Sequence, residues 1–411
     1  MITPFQDKRI VLGVTGSIAV YKSVDLASKL AQSGAVVDVI LTQSATQFVT
    51  PLTFQSVTGQ PAYTDSDLWG SQGHIQHIGL ARHAKQLVIA PITANTLAKL
   101  AHGIADNLLT VTALAARCPI ILAPAMDGDM YAHPATQTNL DTLRQRDVTI
   151  IGPTEGHLAS GMTGIGRMVE SIELLGLIRY GLTRHGPLRN KKIIVTASGT
   201  YEPIDPIRGI TNRSSGKQGF ALAQAALDQG ADVTLISGPT HLAAPIGADH
   251  VKIRTAEEMQ AAVLKALPDS TALLMAAAVA DFRPVSLTKE KVKKSAGVPK
   301  LELEATPDIL AAVAKEKSKH GYPEISVGFA AESQDLISNA RQKLEAKQLD
   351  LIIANDISAT DAGFAVDTNR VTILDAGGGE EVLPLMSKDE VAQFVLERVI
   401  GLLGLSSNEQ Y

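Results

Sequence analysis

Two stretches of the chain repeat one order of apolar and polar positions. Each has a short apolar run, a turn rich in glycine and hydroxyl residues, then apolar positions at helical spacing. In the first, residues 9–14 lead through Thr15-Gly16-Ser17 into a helix reaching about Ser33, with a strand at 36–41. In the second, residues 192–196 lead through a longer Gly/Ser-rich stretch into a helix over 217–229 and a strand over 232–236. The unbroken runs at 87–90 and 120–123 suit strands covered on both faces of a parallel sheet. Strand and helix patterns alternate to the end, which predicts α/β architecture throughout: two three-layer domains with mainly parallel sheets. The polar stretch from Thr183 to Asn190, containing Gly186 and Pro187, reads as a linker between domains at 1–185 and 186–411. Residues 405–411 read as a frayed tail.

Size agrees with this division, since 411 residues exceed one ordinary domain of roughly 150. The net charge of −5 comes from 42 acids and 37 bases, so no global field favours nucleic acid. Any anionic ligand must be held by a local cluster of bases. Cys118 is the only cysteine, which excludes an intrachain disulfide and a cysteine-rich metal site. It precedes Pro119 at a strand start and reads as a buried structural thiol. Apolar runs such as 273–280 fall short of the roughly 18 residues of a membrane span. The first strand begins almost at once, with no signal-peptide pattern, so the expected location is a reduced cytoplasm without membrane or nucleic-acid partners.

Candidate chemistry gathers where strands end. Gly13 to Ile18 closes a strand and opens a helix, so its N–H groups and the Ser17 hydroxyl could hold a phosphate. The third glycine of a dinucleotide fingerprint is missing, and a plain strand-to-helix turn is the competing reading. Thr42-Gln43-Ser44 and Thr93-Ala94-Asn95-Thr96 end two further strands, which points to one polar crevice at the carboxyl edge of a sheet. In the second half, the turn Ser214-Ser215-Gly216 runs into a helix at Lys217, and its hydroxyls and N–H groups offer an anion site. Gln218 breaks the spacing of a Walker loop, which is therefore rejected. Five lysines lie between 289 and 300, where a solvated face is the ordinary explanation. Lys343 and Lys347, four apart, share one helix face and suit a triphosphate.

These segments carry a resemblance. Gly16-Ser17-Ile18-Ala19-Val20-Tyr21-Lys22, the run from His77 to Arg82, Ala90 to Thr96, and Ala123-Pro124-Ala125-Met126 resemble the flavin-containing cysteine decarboxylases. In the second half, Ala276 to Phe282, Thr288 to Lys294, Thr306 to Leu310, Val327 to Glu332 and Ala340 to Lys347 resemble, in order, the phosphopantothenate–cysteine ligase domain. Together they resemble the bacterial bifunctional phosphopantothenoylcysteine decarboxylase/phosphopantothenate–cysteine ligases of coenzyme A biosynthesis, over nearly the whole chain. The resemblance implies a flavodoxin/Rossmann-like first domain and a Rossmann-like second one. It implies FMN contacts from Gly16, Ser17, Ile18, Thr42, Ser44, Thr93, Ala94, Asn95, Thr96 and Ala125, with His77 as the active-site histidine. His74 lies three residues upstream, but only His77 begins the His-Ile-x-Leu run. For CTP it implies Met275, Ala276, Ala277, Asp281, Lys291, Pro307, Asp308, Ile309, Leu310, Phe329, Lys343 and Lys347. Asn212 would hold the acyl-cytidylate, and Asn355-Asp356 completes the pattern. Mg2+ would neutralise the phosphates, though its ligands are not indicated. A homo-oligomer of flavin-half trimers and ligase-half dimers, up to a dodecamer, is also implied.

The implied chemistry is coherent. CTP turns the carboxylate of 4′-phosphopantothenate into an acyl donor by nucleotidylation, and the amine of cysteine attacks it. Flavin oxidation of the CH2–SH group then creates an electron sink, so that CO2 can leave and 4′-phosphopantetheine forms. Two positions depart from the decarboxylase pattern. Asp127 stands where an asparagine would hold the substrate carboxylate, and Ser160 stands where a cysteine would donate a proton. Because an ionised carboxylate repels another, and a hydroxyl is a weaker acid than a thiol, both changes bear on decarboxylation. The first half therefore uses either a rearranged version of this chemistry or serves an active ligase as an FMN-binding scaffold. Rival readings are a flavin prenyltransferase or peptide-cysteine decarboxylase, which the ligase half counts against. A further rival is an NAD(P)-dependent reductase, which the missing fingerprints count against.

Overall fold

The computed structural model describes residues 3–68, 73–286, 290, 300–332, 335–356 and 367–405. Contacts divide the chain into two compact units, Met1–Leu182 and Thr183–Tyr411.

The first unit holds strands β1 (Arg9–Val14), β2 (Val36–Leu41), β3 (Ala62–Tyr63), β4 (Gln86–Ile92), β5 (Ile120–Pro124) and β6 (Thr149–Ile150). They form one sheet in the order β3-β2-β1-β4-β5-β6, every pair parallel. A hairpin of β7 (Thr154–His157) and β8 (Thr163–Arg167) follows. The helices are α1 (Val20–Gln32), α2 (Pro51–Thr58), α3 (Gly73–His83), α4 (Ala94–His102), α5 (Leu108–Ala115), α6 (Gly128–Ala132), α7 (Pro134–Arg144) and α8 (Ser171–Thr183). Alternation along β1 decides the layering. Ile10, Leu12 and Val14 join a core with α1, α2 and α8, whereas Val11 joins a second core with α3, α4, α5 and α7. Strand order reverses between β1 and β4, where parallel sheets of this kind open a crevice at the strands' carboxyl ends.

The second unit repeats the plan. Its elements are β9 (Lys192–Ala197), β10 (Tyr201–Pro203), β11 (Gly209–Thr211), α9 (Lys217–Asp228), β12 (Asp232–Ser237), β13 (Asp249–Lys252), α10 (Ala256–Ala266) and β14 (Ala272–Met275). Next come β15 (Phe282–Pro284), β16 (Leu303–Ala305), α11 (Ile309–His320), β17 (Ile325–Glu332), α12 (Leu336–Ala346) and β18 (Leu351–Asp356). Last are β19 (Thr368–Asn369), β20 (Val371–Asp375), β21 (Glu380–Val382), β22 (Met386–Ser387) and α13 (Lys388–Leu402). The main sheet runs β13-β12-β9-β14-β17-β18-β20-β21. Its first six strands are parallel, and β20 and β21 close the edge antiparallel. α10, α11 and α12 bury one face in a core around Ile194, Leu273 and Ile352, and α9 packs with α13 on the other side. The switch point here lies between β9 and β14.

The stretch expected as a linker is not free. Leu188 is buried, its N–H donates to the Gln229 carbonyl, and a Cβ at Gly186 would lie 2.3 Å from that oxygen. One apolar anchor in a polar segment is enough to dock it on the second unit.

Lys22 fastens α1 to the chain leaving β8. Its Nζ is buried and donates to Met168 O at 2.6 Å and to Glu170 at 2.9 Å. Lys22→Met is expected to cost about 2 kcal/mol, because a buried carbonyl loses a charged donor. A shifted denaturant midpoint for the first unit's transition would show this, and an unchanged midpoint would contradict it.

Candidate active sites

At the first switch point, Thr15 ties the strand ends together. Its Oγ1 donates to Pro91 O at 2.9 Å and accepts from the Thr93 N–H at 3.0 Å. Gly16 lies so close to the end of β2 that an added Cβ would stand 2.4 Å from Ser44 Cβ. Ser17 and Ile18 then lead into α1, with Ser17 Oγ accepting from the Ala19 N–H at 3.3 Å. Thr42 is buried and braces the turn after β2 by accepting from the Ala45 N–H. Thr93 caps α4 by accepting from the Thr96 N–H, so Thr42, Thr93 and Thr96 all have structural bonds. Ser44 and Asn95 face solvent, Ala94 opens α4, and Ala125 is buried at the end of β5 with its N–H on Ile92 O. His77 lies on α3, the helix that leads into β4. Nδ1 of His77 is buried with no hydrogen-bond partner among the described residues.

Asp127 follows β5 and caps α6, with Oδ1 accepting from the Asp129 N–H at 3.1 Å. Ser160 comes from the turn of the β7–β8 hairpin and donates to Asp127 Oδ2 at 2.7 Å. The Ser160 hydroxyl and the Asp129 N–H hold the Asp127 carboxyl below the usual carboxylate range. Cys118 is half-buried against the core beneath α3, α4, α5 and α7, and burial pushes its thiol up. It is a structural residue.

In the second unit, three loops cross at the ends of β9 and β12. Gly216, at φ +81°, caps α9, and a Cβ there would lie 2.3 Å from Ser198 Oγ. That hydroxyl is itself buried, with no hydrogen-bond partner among the described residues. Beside this crossing opens a cavity of about 790 Å³. Its wall includes Asn212, Met275, Ala276, Ala277, Asp281, Pro307, Asp308, Ile309, Leu310, Phe329, Lys343 and Lys347. Lys291 lies outside the described residues. Asn212 Nδ2 donates to Ala278 O at 3.2 Å and Val279 O at 2.9 Å, which latches the loop after β14. Asn212 also lines an adjoining cavity of about 430 Å³ with Tyr201, Arg213 and Pro239. Lys343 donates to Phe329 O at 3.0 Å, while Lys347 pairs with Asp308, which caps α11. Burial alone would raise the Asp308 carboxyl, but Lys347, the Ala311 N–H and Lys343 hold it below the usual range.

Lys217, which follows the turn read as an anion site, and Asn355 line the same cavity, together with Asn369 and Lys388, which no sequence pattern marks. Asn355 Oδ1 is buried, with no hydrogen-bond partner among the described residues. Lys388 is buried at the start of α13, where burial and the Lys217 ammonium pull its pKa below that of an ordinary lysine, against the pull of Asp367. No local motif marks Lys388, and only the fold brings it to α9.

A family model described as the DNA/pantothenate metabolism flavoprotein C-terminal domain matches residues 188–402, and one described as Flavoprotein matches residues 3–181. The coenzyme A biosynthesis bifunctional protein CoaBC of Bacillus subtilis is 45% identical over 399 residues, covering 96% of this chain and 97% of that protein. The chain belongs to the CoaBC family. The CoaBC of Mycobacterium tuberculosis is 41% identical over 413 residues, covering 97% of this chain and 98% of that protein. Among solved structures, the C-terminal domain of a CoaBC matches at 36% identity and TM-score 0.45, covering 53% of this chain and 98% of that one. A mutant PPC decarboxylase complexed with pantothenoylaminoethenethiol matches at 35% identity and TM-score 0.39, covering 42% and 97%. As a CoaBC-family member, the chain is a bifunctional enzyme of coenzyme A biosynthesis, with a decarboxylase half and a ligase half.

Proposed function

We propose that the ligase half uses CTP to activate the carboxylate of 4′-phosphopantothenate and joins it to cysteine, and that the flavin half decarboxylates the product with FMN. One observation carries the ligase reading: every described residue expected to contact CTP or the acyl-cytidylate lines one switch-point cavity. The apolar wall of Ile309, Leu310 and Phe329 takes the nucleoside, and Lys343 and Lys347 take the phosphates. Lys217 and Lys388 hold the far end of the anion. Asn212, in the wall shared by both cavities, sits where the carboxylate of one ligand meets the α-phosphate of the other. Among the described residues no group of three His, Cys, Asp or Glu could hold a metal ion. Mg2+, which is commonly held by one or two carboxylates together with substrate phosphates, comes in on the triphosphate, with Asp281 as an acid of the cavity wall.

The first crevice suits FMN. The Ser17 turn and the α1 N-terminus fit its phosphate, and the unpartnered His77 Nδ1 fits a polar atom of the bound group. When bound, the flavin supplies the oxidation that lets CO2 leave. Ile18, Tyr21, Phe48 and Leu52 are 51–65% exposed near this edge, and further copies of the chain cover them in a homo-oligomer. No helix among the described residues is long and apolar enough to cross a membrane; we place the enzyme in the cytoplasm.

The test of nucleotidylation is isotopic. With 18O in the 4′-phosphopantothenate carboxylate, one labelled oxygen is expected in CMP. Label confined to inorganic phosphate would mean an acyl phosphate and would overturn the cytidylate.

A further inference from the structure

The two departures from the decarboxylase pattern touch each other. Asp127 and Ser160 come from separate segments, and backbone contacts fix their meeting. Met126 N–H donates to Gly166 O at 3.0 Å, and a Cβ at Gly166 would stand 2.2 Å from Met126 O. The hairpin that carries Ser160 therefore packs directly on the segment that carries Asp127. Among the described residues no cation pairs with Asp127. Arg167, on the hairpin, is engaged with Glu170 at 3.0 Å. The other titratable groups on the surrounding segments are Asp129, Tyr131, His133, Glu155 and His157, and His133 Nδ1 accepts from the Ala135 N–H. Asp127 is thus an ionised carboxylate, held by one hydroxyl and one N–H, at the carboxyl edge where the flavin half would place its substrate.

A substrate carboxylate bound there meets an anion with no cation to offset it. Two carboxylates at hydrogen-bond separation do not both stay ionised, and they share one proton. We propose that Asp127 takes up a proton when the substrate carboxylate binds, and that the Asp127–Ser160 couple returns it to the substrate after CO2 leaves. This rests on the decarboxylase reading of the first half. When the bond to CO2 breaks, its electron pair stays on the substrate. Ser160 gives its hydroxyl proton to the carbon that carried CO2 and takes the Asp127 proton in turn. Asp127 is left as the carboxylate it was before binding. Decarboxylation consumes one proton, and the couple draws that proton from solvent at the binding step. A lone serine would be a poor acid here, whereas a carboxyl is acidic enough to replace a thiol.

The test uses the flavin-loaded full chain and the serine analogue of 4′-phosphopantothenoylcysteine, whose hydroxyl replaces the thiol and blocks oxidation. Calorimetric titration in buffers of different ionisation enthalpy, near neutral pH, counts protons taken up on binding. The wild type is expected to take up about one more proton per flavin site than Asp127→Asn. Asparagine is as good a helix cap as aspartate, so this variant keeps the fold and its yellow colour. It is expected to bind the probe at least as tightly but to turn over the natural substrate about tenfold or more slowly. Ser160→Ala is expected to keep the uptake and lose turnover. Equal uptake by wild type and Asp127→Asn, with the probe bound, would overturn the couple alone. Failure of the yellow wild type to bind the probe would overturn the decarboxylase reading and the couple with it.

Discussion

Asn212→Asp is expected to lower ligation by about a hundredfold or more, the scale of losing a donor that acts in the transition state. The present amide donates to two carbonyls, at 2.9 and 3.2 Å, and so holds the loop after β14 against the loop before α9. A carboxylate offers acceptors only, so it would face two carbonyl oxygens and push the loops apart. It would also bring a negative charge to the place where a carboxylate must approach a phosphate. Both cavities share this wall, so nucleotide and acyl substrate should be affected together. The flavin half lies in a separate unit, and decarboxylation of supplied 4′-phosphopantothenoylcysteine should be unchanged. Steady-state rates for each half reaction check this, and a variant with wild-type ligation would contradict it.

Gly16→Val is expected to have the converse effect. A Cβ at Gly16 would stand 2.4 Å from Ser44 Cβ and 3.0 Å from its backbone carbon, so the turn or the end of β2 must shift. Overpacking of this kind typically costs about 1–3 kcal/mol. The shift would move the Ser17 turn and the α1 N-terminus away from the ends of β2 and β4. The purified variant should lose most of its flavin absorbance and accumulate 4′-phosphopantothenoylcysteine, with ligation intact. A fully yellow variant would contradict the placement of FMN at this turn.

Much of the fold was legible because the two periodicities are clean. The strand cores at 87–90 and 120–123 stand inside β4 and β5, and apolar residues facing both ways reflect cores on both sides. β4 begins one residue earlier, at Gln86, which no apolar pattern could reveal. Gln86 is buried all the same, and a Cβ on Gly181 would lie 2.6 Å from its Nε2. The docking of Leu188 was hidden for a similar reason, since its neighbours set the polar character of the segment.

Of the candidate sites, the turns that enter a helix were legible, as at Ser17, Thr93 and Gly216. The sites were less so where crossovers bring remote residues together. Lys388 reaches the cavity only because α13 packs on α9, and Asn369 only because β19 pairs with β22. Asp127 and Ser160 each stood out as a change of chemistry. That one donates to the other is a property of the hairpin's packing, which residue types alone do not encode.

Both half reactions are tested together by supplying the flavin-loaded protein with 4′-phosphopantothenate, cysteine, CTP and Mg2+ and following products by mass spectrometry. 4′-Phosphopantetheine and CO2 are expected in equal amounts, with CMP and pyrophosphate formed alongside. Accumulation of 4′-phosphopantothenoylcysteine without CO2 would leave the ligase standing and make the flavin half a scaffold. The absence of any cysteine adduct would contradict the central claim.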